Sequence, residues 1–276
     1  MGPSLKSRVL TSAIGVPIII LILLAPKAVI TLVVMIVSLI GMYEYYKATG
    51  LLEHKSLCIM GYIAAVVISV GLKLSVATSL ILVYLYIVAL FLLMLFSHRA
   101  INIKHLGELL FGLVYIPYFL SHIIYIHSLE YGRFYVWLVF IGAFLSDTSA
   151  YFVGSYLGKH KLCPNISPKK TIEGAIGGVI GGGVSFVIYG IIVNTFFASY
   201  FDGKGFSLIL LFLLGIIVSI VSQIGDLTAS AIKRQFDIKD FGNIFPGHGG
   251  MLDRCDSIIL VAPIVFLFLY SVNIIL

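Results

Sequence analysis

Apolar positions in this chain fall in long runs, each closed by a short polar segment. Nine runs, at roughly 9–25, 28–49, 57–73, 75–97, 106–127, 134–157, 174–198, 206–232 and 257–275, approach the length of about 20 mostly apolar residues that a spanning helix needs. Only Lys73 divides the third run from the fourth. The pattern predicts an all-α, polytopic integral membrane protein with about nine transmembrane helices. Residues 1–105 hold the first four, and residues 106–276 hold the other five together with most of the unusual polar sequence.

Polar residues inside the apolar runs carry the next layer of information, because a charge in lipid is costly and marks function by default. Asp147 lies within the sixth run, on a face it shares with Ala143, Tyr151, Gly154 and Gly158 at 100° per residue. A carboxylate on a stripe of small residues should face the bundle interior. The following segment, G-K-H-K-L-C-P-N-I-S-P-K-K-T-I-E-G, reads as a loop whose Ser167, Lys169, Lys170 and Thr171 suit phosphate oxygens. Gly174, Gly178 and Gly182 then repeat every four residues, a spacing for close helix packing. In the eighth run Ser219, Ser222, Asp226, Ser230 and Lys233 share one face and require a common partner. Glu44, among tyrosines at the end of the second run, is expected to pair with Lys47 in an interfacial aromatic belt.

The densest polar stretch runs from Ser230 to Asp256. Gly242, Pro246, Gly247, Gly249 and Gly250 break regular structure there and let the backbone crowd a ligand. Asp253 and Asp256 then open the last apolar run at a helix N-terminus, where the macrodipole favours anions by only about 0.3–1 kcal/mol. Their mutual repulsion exceeds that gain if Asp226 is also near. A divalent cation would resolve it, and oxygen donors without cysteine suit Mg²⁺ best, with space for a second cation left open.

Composition sharpens the compartment. The chain has 276 residues, 60% hydrophobic and only 11% charged, with a mean hydropathy of +1.11. A soluble domain is about 45–50% apolar. Nine spans would put fourteen of the eighteen Lys and Arg residues on the side of the N-terminus and the even-numbered loops, leaving Lys27, Lys73, Arg133 and Lys204 opposite. Short basic loops stay cytoplasmic. The N-terminus and the Ser230–Asp256 segment are therefore expected in the cytoplasm of a bacterial inner membrane, with the C-terminus across it. Cys58, Cys163 and Cys255 are isolated, with no zinc or disulfide spacing.

Carboxylates for a metal, cations for phosphate and glycines for backbone approach together suit phosphoryl or nucleotidyl transfer, which works by positioning and charge neutralisation. The residues S-A-I-K-R-x4-K-D-F-G-x3-P-G-H-G-G-M-x-D-R-C-D, with S-D-T-S-A-Y-F-V-G, S-P-K-K-T-I-E-G and S-Q-I-G-D-L before them, resemble the phosphatidate cytidylyltransferases (CDP-diacylglycerol synthases). The likeness covers roughly the second half; the first half is similar only in being multi-spanning. Ala229, Phe241 and Cys255 depart from the residues common in bacterial members.

The resemblance implies CTP + phosphatidate → CDP-diacylglycerol + pyrophosphate, dependent on Mg²⁺, in a homodimer at the bilayer surface with no nucleic-acid partner. By position it implies that Asp226, Asp253 and Asp256 bind metal with Asp147 in support. Lys233, Arg234, Lys239, Asp240, His248 and Arg254 would serve catalysis. Ser167, Lys169, Lys170, Thr171, Ser230, Gly247, Gly249 and Gly250 would bind substrate. Two rivals are a CTP-dependent lipid kinase of the polyprenol or phytol type and an ion-coupled transporter using Asp147 and Asp226. The paired broken helices of transporters have no counterpart in the sequence.

Overall fold

A computed structural model describes residues 5–70, 76–245, 247 and 249–275, with side chains from residue 13 onward except at Val76. Lys73, Pro246 and His248 lie outside the described residues. The chain is almost entirely α-helical: α1 Leu5–Leu24, α2 Lys27–Thr49, α3 Lys55–Val70, α4 Val76–Phe96, α5 Ile103–Leu113, α6 Phe119–His127, α7 Gly132–Leu157, α8 Ile172–Phe196, α9 Leu208–Gln235 and α10 Leu252–Ser271. A π-helical turn over Val114–Tyr118, holding Pro117, joins α5 to α6 in one continuous rod. Each rod falls on one of the expected apolar runs.

The count of about nine spans is not confirmed. Among the described residues six helices are long and apolar enough to cross a membrane: Lys27–Thr49, Ala77–Phe96, Ile103–His127, Gly132–Leu157, Ile172–Phe196 and Leu208–Gln235. Ala13–Leu24 and Lys55–Val70 are shorter apolar helices. The tenth helix opens on Asp253, Arg254 and Asp256, so its first turn is polar.

Local chemistry sets the rod ends. Pro26 starts α2, and Gly50, at φ +84°, closes it. The Thr171 side chain caps α8 by accepting from the Gly174 amide, and Ser207 caps α9 through the Leu210 amide.

A tight group of α7, α8, α9 and α10 forms the second half, and α10 also packs on α6. The four-residue glycine repeat does what its spacing predicts. A Cβ on Gly174 would lie 3.0 Å from the Gly154 Cα, one on Gly178 3.0 Å from the Ala150 Cβ, and one on Gly182 2.8 Å from the Ser219 Cβ. Backbones this close let Ser219 donate to the Gly178 carbonyl at 2.7 Å and also meet Ser146. Gln223 donates to the Ala175 carbonyl at 3.1 Å. Part of the polar stripe on α9 is thus used to bind helix to helix.

The basic segment after α7 differs from the expected loop. Lys161–Cys163 (β1) and Ser167–Thr171 (β2) pair antiparallel, with Lys161 opposite Thr171 and Cys163 opposite Ser167. Glu173 fastens the base of this hairpin. Its carboxylate accepts from the Lys159 and His160 amides and meets His160 Nδ1 at 2.6 Å. Two three-to-five-residue strands around a Pro-Asn turn carry too little apolar alternation to register as strands.

Candidate active site

The ends of α7, α8, α9 and α10 and the hairpin enclose a cavity of about 420 Å³. Asp147 of α7, Asp226 of α9, and Asp253, Arg254 and Asp256 of α10 line it, and Lys169, Lys170 and Thr171 reach it from β2. Acidic groups from three rods and cations from a hairpin thus share one space. The approach of α9 to α10 depends on Gly225, since a Cβ there would lie 2.7 Å from the Asp256 carbonyl oxygen and 3.3 Å from the Ser257 Cα. This crossing sets Asp226, one residue on, beside the first turn of α10.

Three of the carboxylates stay sparsely bonded. Lys170 forms an ion pair with Asp226. Asp147 accepts from the Ser257 hydroxyl at 3.1 Å, and Asp256 accepts from the Ser257 amide at 2.8 Å. Each of these contacts uses one carboxylate oxygen. Like charges lining one cavity repel, and Lys170 offsets that repulsion only in part.

The surroundings of Asp253 are of a different kind. Only 6% exposed, it accepts from Lys233 Nζ at 2.7 Å through Oδ1 and from the Phe241 and Gly250 amides at 2.8 and 2.9 Å through Oδ2. Lys233 also lies 5.5 Å from the Phe241 ring centroid. The carboxylate that the sequence places in a metal trio thereby folds the glycine-rich segment back onto α10. Within that segment Phe245 and Gly249 bridge, and Gly247 and Gly249 adopt φ of +81° and +82°, left-handed values that glycine takes at no steric cost.

Other expected site residues stand off the cavity wall. Arg234, Lys239 and Asp240 are exposed beyond it, and Ser167, Ser230, Gly247, Gly249 and Gly250 are outside its lining. Among the described residues no three His, Cys, Asp or Glu side chains converge as a ready-made metal cage.

Two residues escaped the sequence reading. Glu44 does not serve an aromatic belt with Lys47; its carboxylate accepts from the Met251 and Leu252 amides at 2.9 Å each. Tyr115, on the π turn, is 4% exposed with its hydroxyl unpartnered. The only local signal for either was a polar group inside an apolar run.

A family model described as the cytidylyltransferase family matches residues 6–272. A phosphatidate cytidylyltransferase of Bacillus subtilis (strain 168) is 36% identical over 189 residues, covering 66% of this chain and 67% of that one. Its counterpart in Rickettsia prowazekii (strain Madrid E) is 38% identical over 185 residues, 67% of this chain and 80% of the relative. In Staphylococcus haemolyticus (strain JCSC1435) the identity is 46% over 138 residues, half of each chain. The family match runs through nearly every rod as well as the cavity, so this chain belongs to the cytidylyltransferase family and is a nucleotidyltransferase.

Proposed function

We propose that the chain is a phosphatidate cytidylyltransferase, joining CTP and phosphatidate to give CDP-diacylglycerol and pyrophosphate at the cytoplasmic face of the membrane. One observation carries the reading: a single cavity among apolar helices is lined by Asp147, Asp226, Asp253 and Asp256 together with Lys169, Lys170 and Arg254. A lipid phosphate and a nucleoside triphosphate, both polyanions, need such a place to meet. The relatives, named phosphatidate cytidylyltransferases, agree with it.

The donor set fits Mg²⁺. That ion is typically held by one or two carboxylates plus substrate phosphates and waters, not by a closed protein cage. Asp226 and Asp256 would hold it, with Asp147 supporting and a second cation accommodated at the same wall. When bound, it would neutralise charge on the phosphates being exchanged. Asp253 belongs in this reading to the frame, through Lys233 and the Phe241 and Gly250 amides.

In the transfer, an oxygen of the phosphatidate phosphate attacks the α-phosphorus of CTP, and the bond to the β-phosphate oxygen breaks to release pyrophosphate. That oxygen is already anionic near neutral pH, so no side chain need remove a proton. Lys169, Lys170 and Arg254 hold the anionic phosphates against one another, while Thr171 fixes the hairpin to α8 through its cap. Ser167, Ser230 and Gly247, Gly249 and Gly250 complete the substrate-binding surround in this reading; the role that the resemblance implies for His248 falls outside the described residues. Lys233 acts from the frame around the cavity, and Arg234, Lys239 and Asp240 from the surface beyond it. A cytoplasmic cavity is part of this reading and rests on the basic bias that a nine-span topology gives one side, and the working unit is taken as a homodimer.

Radiolabelled CTP tests the reading on purified protein in detergent with phosphatidate. Label from the α-phosphorus should appear in lipid only when Mg²⁺ is present, and label from the γ-phosphorus should not. Transfer of the γ-label alone would make the chain a lipid kinase.

A further inference from the structure

The cavity is built from the second half of the chain, yet a side chain from α2 anchors the segment that carries much of it. Glu44 is only 2% exposed. Its two oxygens accept separately from the Met251 and Leu252 amides at 2.9 Å. These amides sit at the N-terminus of α10, immediately before Asp253. A negative group there meets free backbone donors and the positive end of the helix dipole. No side chain from the segment itself caps this helix, so the cap comes from a helix about two hundred residues earlier.

The surroundings are shaped for that carboxylate. A Cβ added to Gly250 or to Gly242 would collide with the Glu44 side chain. Two glycines of the K-D-F-G and P-G-H-G-G sequences thus leave the space in which the loop closes around it. One turn earlier on α2, Gly41 lets the helices meet: a Cβ there would lie 2.9 Å from Leu252 Cδ2 and 3.1 Å from Ile116 Cγ2. The same loop is held from its other side by Asp253, through the Phe241 and Gly250 amides. Two buried carboxylates from different helices therefore grip Phe241, Gly250, Met251 and Leu252, and Asp256 follows one turn later.

We propose that Glu44 is a positioning residue for cytidylyl transfer: through the backbone of Met251 and Leu252 it fixes the first turn of α10, and so the place of Asp256 in the cavity. It touches neither substrate in this arrangement and acts only through that helix. The proposal rests on the functional reading above. A shift of about 1 Å in a reacting arrangement costs on the order of a hundredfold in rate, and loss of a partner behind a metal ligand costs about 10–100-fold in metal affinity or activity.

The test compares the full-length protein with Glu44→Gln and Glu44→Asp, using exposed Glu53→Gln as control. Gln keeps the length but turns a donor toward one of the two amides, and Asp keeps the charge but falls short of them. Amide hydrogen exchange across 241–256 should accelerate about tenfold or more in both variants, as for a lost charge-assisted bond. Exchange in α8 should be unchanged. The half-saturating Mg²⁺ concentration for cytidylyl transfer should rise about tenfold or more, a change that a mere fall in the folded fraction would not produce.

If Gln unfolds the bundle, Asp is read by the same two measurements. Unchanged exchange in 241–256, or a normal Mg²⁺ requirement in a folded variant, overturns the proposal. Wild-type protein that transfers no cytidylyl group sinks the functional reading instead, while the exchange result still decides whether Glu44 holds α10 in place.

Discussion

Two sets of carboxylates lie within a turn or two of each other in this protein and are treated in opposite ways. Around the glycine-rich segment, Glu44 and Asp253 are almost fully buried, and every oxygen accepts from a named amide or ammonium. Around the cavity, Asp147, Asp226 and Asp256 are only partly buried, and each has a single bond from a hydroxyl, an amide or Lys170. A buried charge left without partners is expensive, and in the first set each charge already has its partners. The second set holds unused acceptor capacity beside repelling neighbours, the condition under which a cation and its phosphates bind. Asp253 and Asp256, three residues apart on the same helix, thus fall on opposite sides of the division. Bond satisfaction separates them where residue type and spacing do not.

The largest effect should follow from disabling the open set. Asp226→Asn and Asp256→Asn are expected to lower cytidylyl transfer about a thousandfold or more. Thermal unfolding in detergent should be nearly unchanged, because removing a charge relieves repulsion in the cavity. Near-normal turnover by either variant across Mg²⁺ concentrations would remove the open set from the chemistry. Next in size is the closed set. Asp253→Asn leaves Lys233 with no ionic partner, at 13% and 3% side-chain exposure for the pair, and should cost about 3–5 kcal/mol of stability. Adding Lys233→Met should recover much of that loss in an unfolding titration. Should Asp253→Asn leave stability intact and raise only the Mg²⁺ requirement, Asp253 would belong with Asp226 and Asp256 after all.

The open set was largely legible before any coordinates. Apolar runs located the rods, and a helical wheel put Asp226 on the same face as Ser219, whose partners prove to be Gly178 and Ser146 on the facing helices. The glycine repeat foretold the packing that brings those helices together. The closed set was not legible, because most of its bonds go to backbone amides, which carry no sequence signature, and those of Glu44 reach across about two hundred residues. Glu44 next to Lys47 offers a local partner that satisfies every nearest-neighbour rule; only the tertiary packing of Gly41 on Leu252 and Ile116 shows where the carboxylate goes. The hairpin over Lys161–Thr171 and the π turn at Val114–Tyr118 were hidden for a related reason. Each is shorter than the window over which a period can be seen.

The comparison sharpens further at the cations, where the same split predicts two smaller effects of different kinds. Lys170 pairs with Asp226 at the cavity wall, with side chains 24% and 28% exposed. Water screens such a pair, so Lys170→Ala should change stability by less than about 1 kcal/mol. It should raise the KM for CTP about tenfold, the scale of one charge-assisted bond to phosphate. Arg234 and Lys239 are exposed and off the cavity wall, so they can act on a polyanion only through the field they project into solvent. That field decays over about 10 Å at 0.1 M salt. The double replacement by Ala should therefore lower kcat/KM for CTP only severalfold at low ionic strength, through slower capture, and the deficit should vanish as salt is raised. A loss that persists in high salt would mean that the two side chains contact the nucleotide directly, and that the loop closes over the cavity further than its present hydrogen bonds to Asp253 and Glu44 allow.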